Sequence, residues 1–213
     1  MDIPILYRDD HLVVLNKPAG LPAHPGRAGG PSAEDMFPLL SRRKDGPWLA
    51  HRLDTDTAGC LVVALRKAAL LAAQAEFSGG LAEKIYWAVV HGGPRDDAGR
   101  VEANLAKRTQ GRQWKMVVDP AGQGAVTDWQ VLGRGDGMSL LALRPRTGRT
   151  HQVRVHCASL GCPVVGDIIY GTAGAEPLHL LAYSIRLRAM PLAAIAPAPA
   201  HMQAALRGCG WTA

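Results

Sequence analysis

The chain has 213 residues, room for one compact domain or two small subdomains, and 47% of them are hydrophobic, enough to bury a core. Its 24 Lys and Arg against 18 Asp and Glu give a net charge of +6, which suits a polyanionic partner without demanding one. No apolar run reaches the length of a membrane span, the start Met1-Asp2-Ile3-Pro4 lacks the basic region of a secretory signal, and four cysteines (Cys60, Cys157, Cys162, Cys209) show no disulfide-framework spacing; a cytoplasmic protein with reduced thiols is expected.

Ile5-Leu6-Tyr7 and Leu12-Val13-Val14-Leu15 flank a polar Arg8-Asp9-Asp10 turn and predict an opening strand pair. Residues 17–26 are too rich in Pro and Gly for regular structure. Residues 32–44 predict a short helix with Ser32 as N-cap and a basic end at Arg42-Arg43-Lys44. Residues 61–65 read as a buried strand, 67–77 as a helix stopped by Gly79-Gly80, and 84–90 as the next strand. Residues 92–124 are glycine-rich and polar, and predict a long, partly ordered insertion or hairpin carrying Lys107, Arg108, Arg112 and Lys115. Residues 126–131 and 140–143 read as strands joined by a tight Gly-Asp-Gly turn. Residues 153–160 read as a helix interrupted by Gly161-Cys162-Pro163, residues 178–187 as a strand, 189–200 as irregular, and the last dozen as a short helix. The sum is an α/β fold of the α+β type, with a mixed, largely antiparallel central sheet flanked by helices and loops.

The segment His51-Arg52-Leu53-Asp54-Thr55-Asp56-Thr57-Ala58-Gly59 sets one carboxylate, Asp54, between basic side chains and a small-residue turn, directly before an apolar run. A neighbouring guanidinium favours the charged form of a carboxylate, and an ionised, poorly hydrated carboxylate can act as nucleophile or base. The same spacing suits a surface turn in which Asp54 pairs with Arg52. In a strand, Asp56 would share a face with Asp54 and form an acid/base dyad; in a turn the spacing fixes no such geometry.

A second constellation runs Arg144-Pro145-Arg146-Thr147-Gly148-Arg149-Thr150-His151-Gln152-Val153-Arg154-Val155-His156. Four Arg and two His with no acid call for an anion or a buried carboxylate, unless the segment is a solvated basic face. Thr147 to Thr150 make a turn into a helix start with Thr150 as candidate N-cap, where backbone N–H groups can hold phosphate. The mixture with Gln152 and Val153 points one arginine inward, and Arg154 is the choice. His151, His156, Cys157 and Cys162 match no zinc spacing, and no phosphate-loop, nucleophile-elbow or dinucleotide pattern appears, so neither metal nor cofactor is expected.

These residues resemble the RluA-type family of RNA pseudouridine synthases across roughly residues 5–187. Tyr7-Arg8-Asp9-Asp10-His11-Leu12-Val13-Val14-Leu15-Asn16-Lys17-Pro18-Ala19-Gly20-Leu21 with His24-Pro25-Gly26 is similar to its first motif, and His51-Arg52-Leu53-Asp54 with Thr57-Ala58-Gly59 to its catalytic motif. Lys84-Ile85-Tyr86 matches the segment that supplies an active-site tyrosine. The stretch 146–156, then Gly161-Cys162-Pro163-Val164-Val165-Gly166-Asp167 and Tyr170-Gly171, looks like the third motif, and Leu178-His179 like the final strand motif. The family usually carries Ser where this chain has Ala58, which puts a local hydroxyl contact in question rather than the carboxylate.

The resemblance implies an essential carboxylate, Asp54, paired with Arg154. It further implies that Tyr86 packs on the target base and that Arg52 fills the gap left by a flipped nucleotide. Arg52, His51, Arg149, His151 and Gln152 become candidates for substrate binding. Arg42, Arg43, Lys44, Lys107, Arg108, Arg112 and Lys115 are candidates for RNA backbone contacts. The implied reaction isomerises a uridine of ribosomal or transfer RNA, in a stem-loop, without a cofactor. A single catalytic domain over residues 1–213 is expected, without the separate N-terminal RNA-binding domain of some relatives. A monomer with no obligate protein partner is expected as well, because no helix shows a coiled-coil seam. Two other classes stay open on residues alone: a catalytically silent RNA-binding factor, and a glycosidase-like hydrolase using Asp54 and Asp56.

Overall fold

The apolar runs become strands wherever β-branched and aliphatic side chains are continuous, and glycine or proline sets their ends. In a computed structural model, which describes residues 2–26, 29–111, 113–172 and 174–211, strands β1 (Ile5–Arg8) and β2 (Leu12–Lys17) form the expected hairpin. A 3-10 turn (Ala33–Met36) runs into the one-turn helix α1 (Phe37–Leu40), then come β3 (Trp48–Leu49), β4 (Ala58–Ala64), α2 (Lys67–Ser78) and β5 (Glu83–His91). The long antiparallel strands β6 (Ala98–Gln110), β7 (Gln113–Val118), β8 (Gln123–Gly135) and β9 (Met138–Pro145) follow. Helix α3 (Gln152–Ser159), β10 (Leu180–Leu187), β11 (Leu192–Ile195), a 3-10 turn (Ala200–Met202) and α4 (Gln203–Gly208) complete the order.

The chain divides into two compact units, Met1–Lys84 with Leu181–Pro199, and Ile85–Leu180 with Ala200–Ala213. In the first, β2 pairs with β1 and β4 antiparallel, β3 pairs β4 antiparallel, β10 runs parallel to β4, and β11 pairs β10 antiparallel. Its core is the apolar run of each central strand: Leu12 to Leu15 and Leu61 to Ala64 are fully buried. Gly59 has to be glycine, because its φ is +109° and a Cβ there would lie 2.3 Å from the Ala182 carbonyl of the parallel partner strand.

In the second unit β5, β9, β8, β6 and β7 lie in that order, every pair antiparallel, with β7 at the end. Asp136 and Gly137, both at positive φ (52° and 72°), make the two-residue turn between β8 and β9 that matches strand twist. The apolar face of this sheet packs on α3 through Ala88, Trp129, Leu141, Leu143, Val153 and Cys157. The fold is therefore mixed and largely antiparallel, with four α-helices among the described residues.

Four local expectations change. Residues 32–44 hold only the 3-10 turn and α1; the helix ends at Leu40 before the basic Arg42-Arg43-Lys44, which sit exposed in the following loop. The N-cap of α3 is His151, not Thr150, and it adopts the left-handed conformation (φ 52°, ψ 16°) without a side-chain cap. Strand β11 lies inside the Ala/Pro-rich segment read as irregular, held by four register pairs with β10 from Ser184–Ile195 to Leu187–Leu192. Of the two readings of 92–124, a partly ordered insertion or a hairpin, the hairpin holds: β6 and β7 pair and β8 continues the sheet, with Gly122 close against the Leu105 backbone.

Candidate active site

In the first unit, Asp54 sits in the turn that feeds β4, where its carbonyl accepts the Thr57 N–H at 3.1 Å. Asp54 is partly buried, while Arg52, Thr55 and Asp56 are exposed. The segment is a turn rather than a strand, so the strand alternation that would set Asp54 and Asp56 on one face does not apply. Ala58, where the resemblance implies a Ser, is buried and opposes Leu181 of β10, so the departure falls inside the core.

Beneath this turn lies a residue to which the sequence reading gave no role. Lys17, at the end of β2, is fully buried, and its Nζ donates to the carbonyls of Pro18 (2.9 Å), Leu21 (2.7 Å) and Thr55 (2.9 Å). One ammonium thus ties the Pro-rich loop to the loop bearing Asp54. Burial pushes its pKa down to about 8, against the pull of the Asp56 and Asp54 carboxylates. The available signal was a lysine closing an apolar strand directly before Pro18.

His51 turns inward. Its Nε2 accepts the Val62 N–H at 3.1 Å and its ring packs on Phe77 with centroids 4.7 Å apart. Burial and the charge of Lys84 push the imidazole down to about 4, with the Arg52 backbone opposing. It is a neutral brace for β4, not a cation offered to an anionic ligand.

In the second unit, Tyr86 lies on β5 opposite Leu143 of β9, partly buried against the core below α3. Arg154 points inward as expected, at 3% exposure, and its fork grips the fully buried Asp167: Nε to Oδ2 and Nη2 to Oδ1, both 2.7 Å. Burial raises the Asp167 carboxyl, but the Arg154 hydrogen bonds and charge, with the Tyr170 and Ile169 N–H groups, hold it below the usual carboxylate range. The basic segment calls for an anion or a buried carboxylate unless it is a solvated face; Asp167 supplies a buried carboxylate for Arg154.

Gln152 is 3% exposed and spends its amide inside the chain. Its Oε1 accepts from Thr147 Oγ1 (2.7 Å) and the Arg149 N–H (3.0 Å), and its Nε2 donates to the Val126 carbonyl (3.0 Å) and Thr127 Oγ1 (2.9 Å). With all four positions filled it locks α3 onto β8 and has no polar valence left for a substrate. Arg149 is exposed with Nε on the Gly124 carbonyl at 3.1 Å, and Arg146 shares Asp128 with Arg100. His151 stacks on Trp114 at 5.1 Å and pairs through Nδ1 with the Tyr170 hydroxyl at 2.8 Å.

Among the expected backbone contacts, Arg42, Arg43, Lys44, Lys107, Arg108 and Lys115 are exposed, while Arg112 lies outside the described residues. Register sets Arg108 directly opposite Lys115 on one hairpin face, with Asp119 paired to Arg108. Two like charges abreast are destabilising by themselves, an arrangement that an anion relieves. No helix is long and apolar enough to cross a membrane.

The chain is similar to known RNA pseudouridine synthases over most of its length. The family profile described as RNA pseudouridylate synthase matches residues 11–159. An RNA pseudouridine synthase of Zymomonas mobilis, itself uncharacterized, is 40% identical over 204 residues, covering 92% of this chain and 93% of its own. The ribosomal large subunit pseudouridine synthase D of Borreliella burgdorferi is 33% identical over 87% of this chain, which spans 60% of that protein's length. The solved structure of human RNA Pseudouridylate Synthase Domain Containing 4 gives a TM-score of 0.83 at 29% identity, covering 98% of this chain and 94% of that one.

Proposed function

The chain belongs to the RNA pseudouridylate synthase family, in its RluA type, and from that premise we propose that it isomerises specific uridines of ribosomal or transfer RNA with Asp54 as the essential carboxylate. Its class is thereby RNA pseudouridine synthase, an isomerase acting on RNA. One observation carries the finer reading: the matched span 11–159 contains Asp54, Tyr86 and Arg154 within their motifs.

The chemistry breaks the bond from ribose to N1, turns the uracil, and joins C5 to the same sugar carbon; the proton on C5 is then lost and N1 takes up a proton, so the product is an isomer. No atom is lost overall and nothing is oxidised, so the reaction asks for a carboxylate, exclusion of water and a hold on the detached base. Asp54 supplies the carboxylate, from a turn held from below by the Lys17 ammonium through Thr55. Tyr86 supplies a flat face for the base, and Arg154 a guanidinium pre-aimed by its buried carboxylate partner. A stacked uracil is out of reach, so the nucleotide is extruded, most cheaply from a loop or bulge, and Arg52 takes its place in the stack. The chain acts as a single catalytic domain and as a cytoplasmic monomer. Of the basic residues, Lys107, Arg108 and Lys115 stand on the hairpin where flanking phosphates would lie.

The test is Asp54→Asn with uridine-containing RNA. Product falls below detection while RNA affinity stays within about threefold, a change under 1 kcal/mol. An Asn variant that still makes pseudouridine overturns the assignment, and release of free uracil turns the reading toward a hydrolase.

A further inference from the structure

Three separate parts of the second unit meet on one side chain, Tyr170. Strand β7 is an edge, and its Met116 N–H points away from β6 and donates to the Tyr170 hydroxyl at 2.9 Å. The same hydroxyl pairs with Nδ1 of His151 at 2.8 Å, the left-handed residue that starts α3. His151 in turn lies flat against Trp114 at the hairpin tip, at 26° between planes. The Tyr170 ring has the Arg154 guanidinium carbon 5.2 Å from its centroid, and the Tyr170 N–H donates to Asp167 Oδ1 at 3.0 Å, the atom that also receives Arg154 Nη2.

The proposed chemistry uses Arg154 but gives no task to Tyr170, His151 or Trp114. We propose that Tyr170 is a positioning residue for Arg154, and that through its hydroxyl the docking of the β6–β7 hairpin sets where the guanidinium stands. This rests on the assignment of Arg154 to the reaction. A planar cation held by a bidentate carboxylate can still swing about that axis; an aromatic face on its side removes the freedom. The ring can do so only while its own end is fixed, and Met116 and His151 fix it. The left-handed backbone of His151 fits that task, since a strained conformation persists where its surroundings hold it.

Tyr170→Phe keeps the ring and deletes both hydroxyl bonds. A side chain that merely covers an edge strand lowers stability and the folded fraction, leaving turnover per folded molecule unchanged. A positioning residue lowers kcat, here by between about 10- and 100-fold, while the dissociation constant for RNA moves less than about twofold. Because the effect runs through Arg154, Tyr170→Phe adds nothing further to kcat in an Arg154→Lys background. Should Tyr170→Phe fold poorly, His151→Asn, tolerant of the left-handed backbone, removes the ring partner and is read in the same way. Unchanged kcat in the folded variants, or a full additional loss on top of Arg154→Lys, overturns the proposal. Asp54→Asn in the same assay separates the two failures: an active Asp54→Asn overturns the assigned function, whereas an inactive one beside fully active Tyr170→Phe overturns only the positioning role.

Discussion

Two buried charges carry more of this molecule than their exposure suggests. Lys17 has its three acceptors in the loops at 18–21 and 55, so replacing it with Met strands three carbonyls and costs about 3 kcal/mol at pH 7. Its pH signature has a definite sign. The folded value of about 8 lies below the ordinary lysine value of 10.5, so burying the charged amine opposes folding at neutral pH. That opposition is relieved as pH rises from about 8 to 10.5, and urea titrations then show the wild-type advantage over Lys17→Met growing by about 3 kcal/mol. The difference is the quantity to measure, because burial also raises Cys60 to about 12 and raises Cys157, whose thiols draw stability away above pH 9. Asp167→Asn removes the buried carboxylate that the Arg154 fork grips, and thermal unfolding records a loss of about 3–5 kcal/mol. Sequence made Arg154 legible as the inward arginine, since its neighbours in a basic run were apolar or amide. It left Asp167 and Lys17 obscure, because a charged side chain in an apolar context reads as exposed until a third element supplies its acceptors.

At the scale of elements, the β6–β7 hairpin is where charge and architecture separate. Leu105 and Met116 share the face turned to Val155 and Tyr170, while Arg108 and Lys115 stand abreast on the other. Lys107 lies over Trp114 at 4.6 Å, near the tip. Neutralising Lys107 and Lys115 to Gln shortens no strand and exposes no core. If both meet phosphate, the slope of log K against log salt for single-stranded RNA becomes shallower by about 1.4, at 0.7 per contact. A slope equal to wild type in a filter-binding series removes these two lysines from the interface. Alternation and glycine position were enough to find β1, β2, β4, β5 and α2, whose ends depend on local chemistry such as the Gly79 cap. They were not enough for β11, which exists because β10 offers an edge, nor for the start of α3, where His151 is kept left-handed by Trp114 and Tyr170 rather than by any capping side chain. The site followed the same division: the Asp54 turn was visible in its small residues, while the locking of Gln152 into β8 depends on a partner strand 25 residues away.

For the whole molecule, acid is the revealing solvent. His51 in the first unit and His156 in the second are both pushed down to about 4, His156 by burial alone, and burial also lowers His179. His156 is fully buried, with Nδ1 on Thr127 Oγ1 at 2.9 Å. A histidine kept neutral in the fold binds its proton later than in the unfolded chain, so its contribution is complete above pH 6.5 and is lost as pH falls toward 4. Each of the two is worth about 3 kcal/mol over that window, and domain stabilities run to about 5–15 kcal/mol, so loss of both consumes a large share of the total. Urea unfolding at pH 7 and 4.5 therefore shows wild type losing several kcal/mol between the two conditions. His156→Gln offers an amide in place of the imidazole and does not titrate, so it starts less stable at pH 7 and closes most of that gap by pH 4.5. A gap of constant size across the series means that His156 is protonated in the folded state, and with it falls the account of a second-unit core closed around a neutral ring.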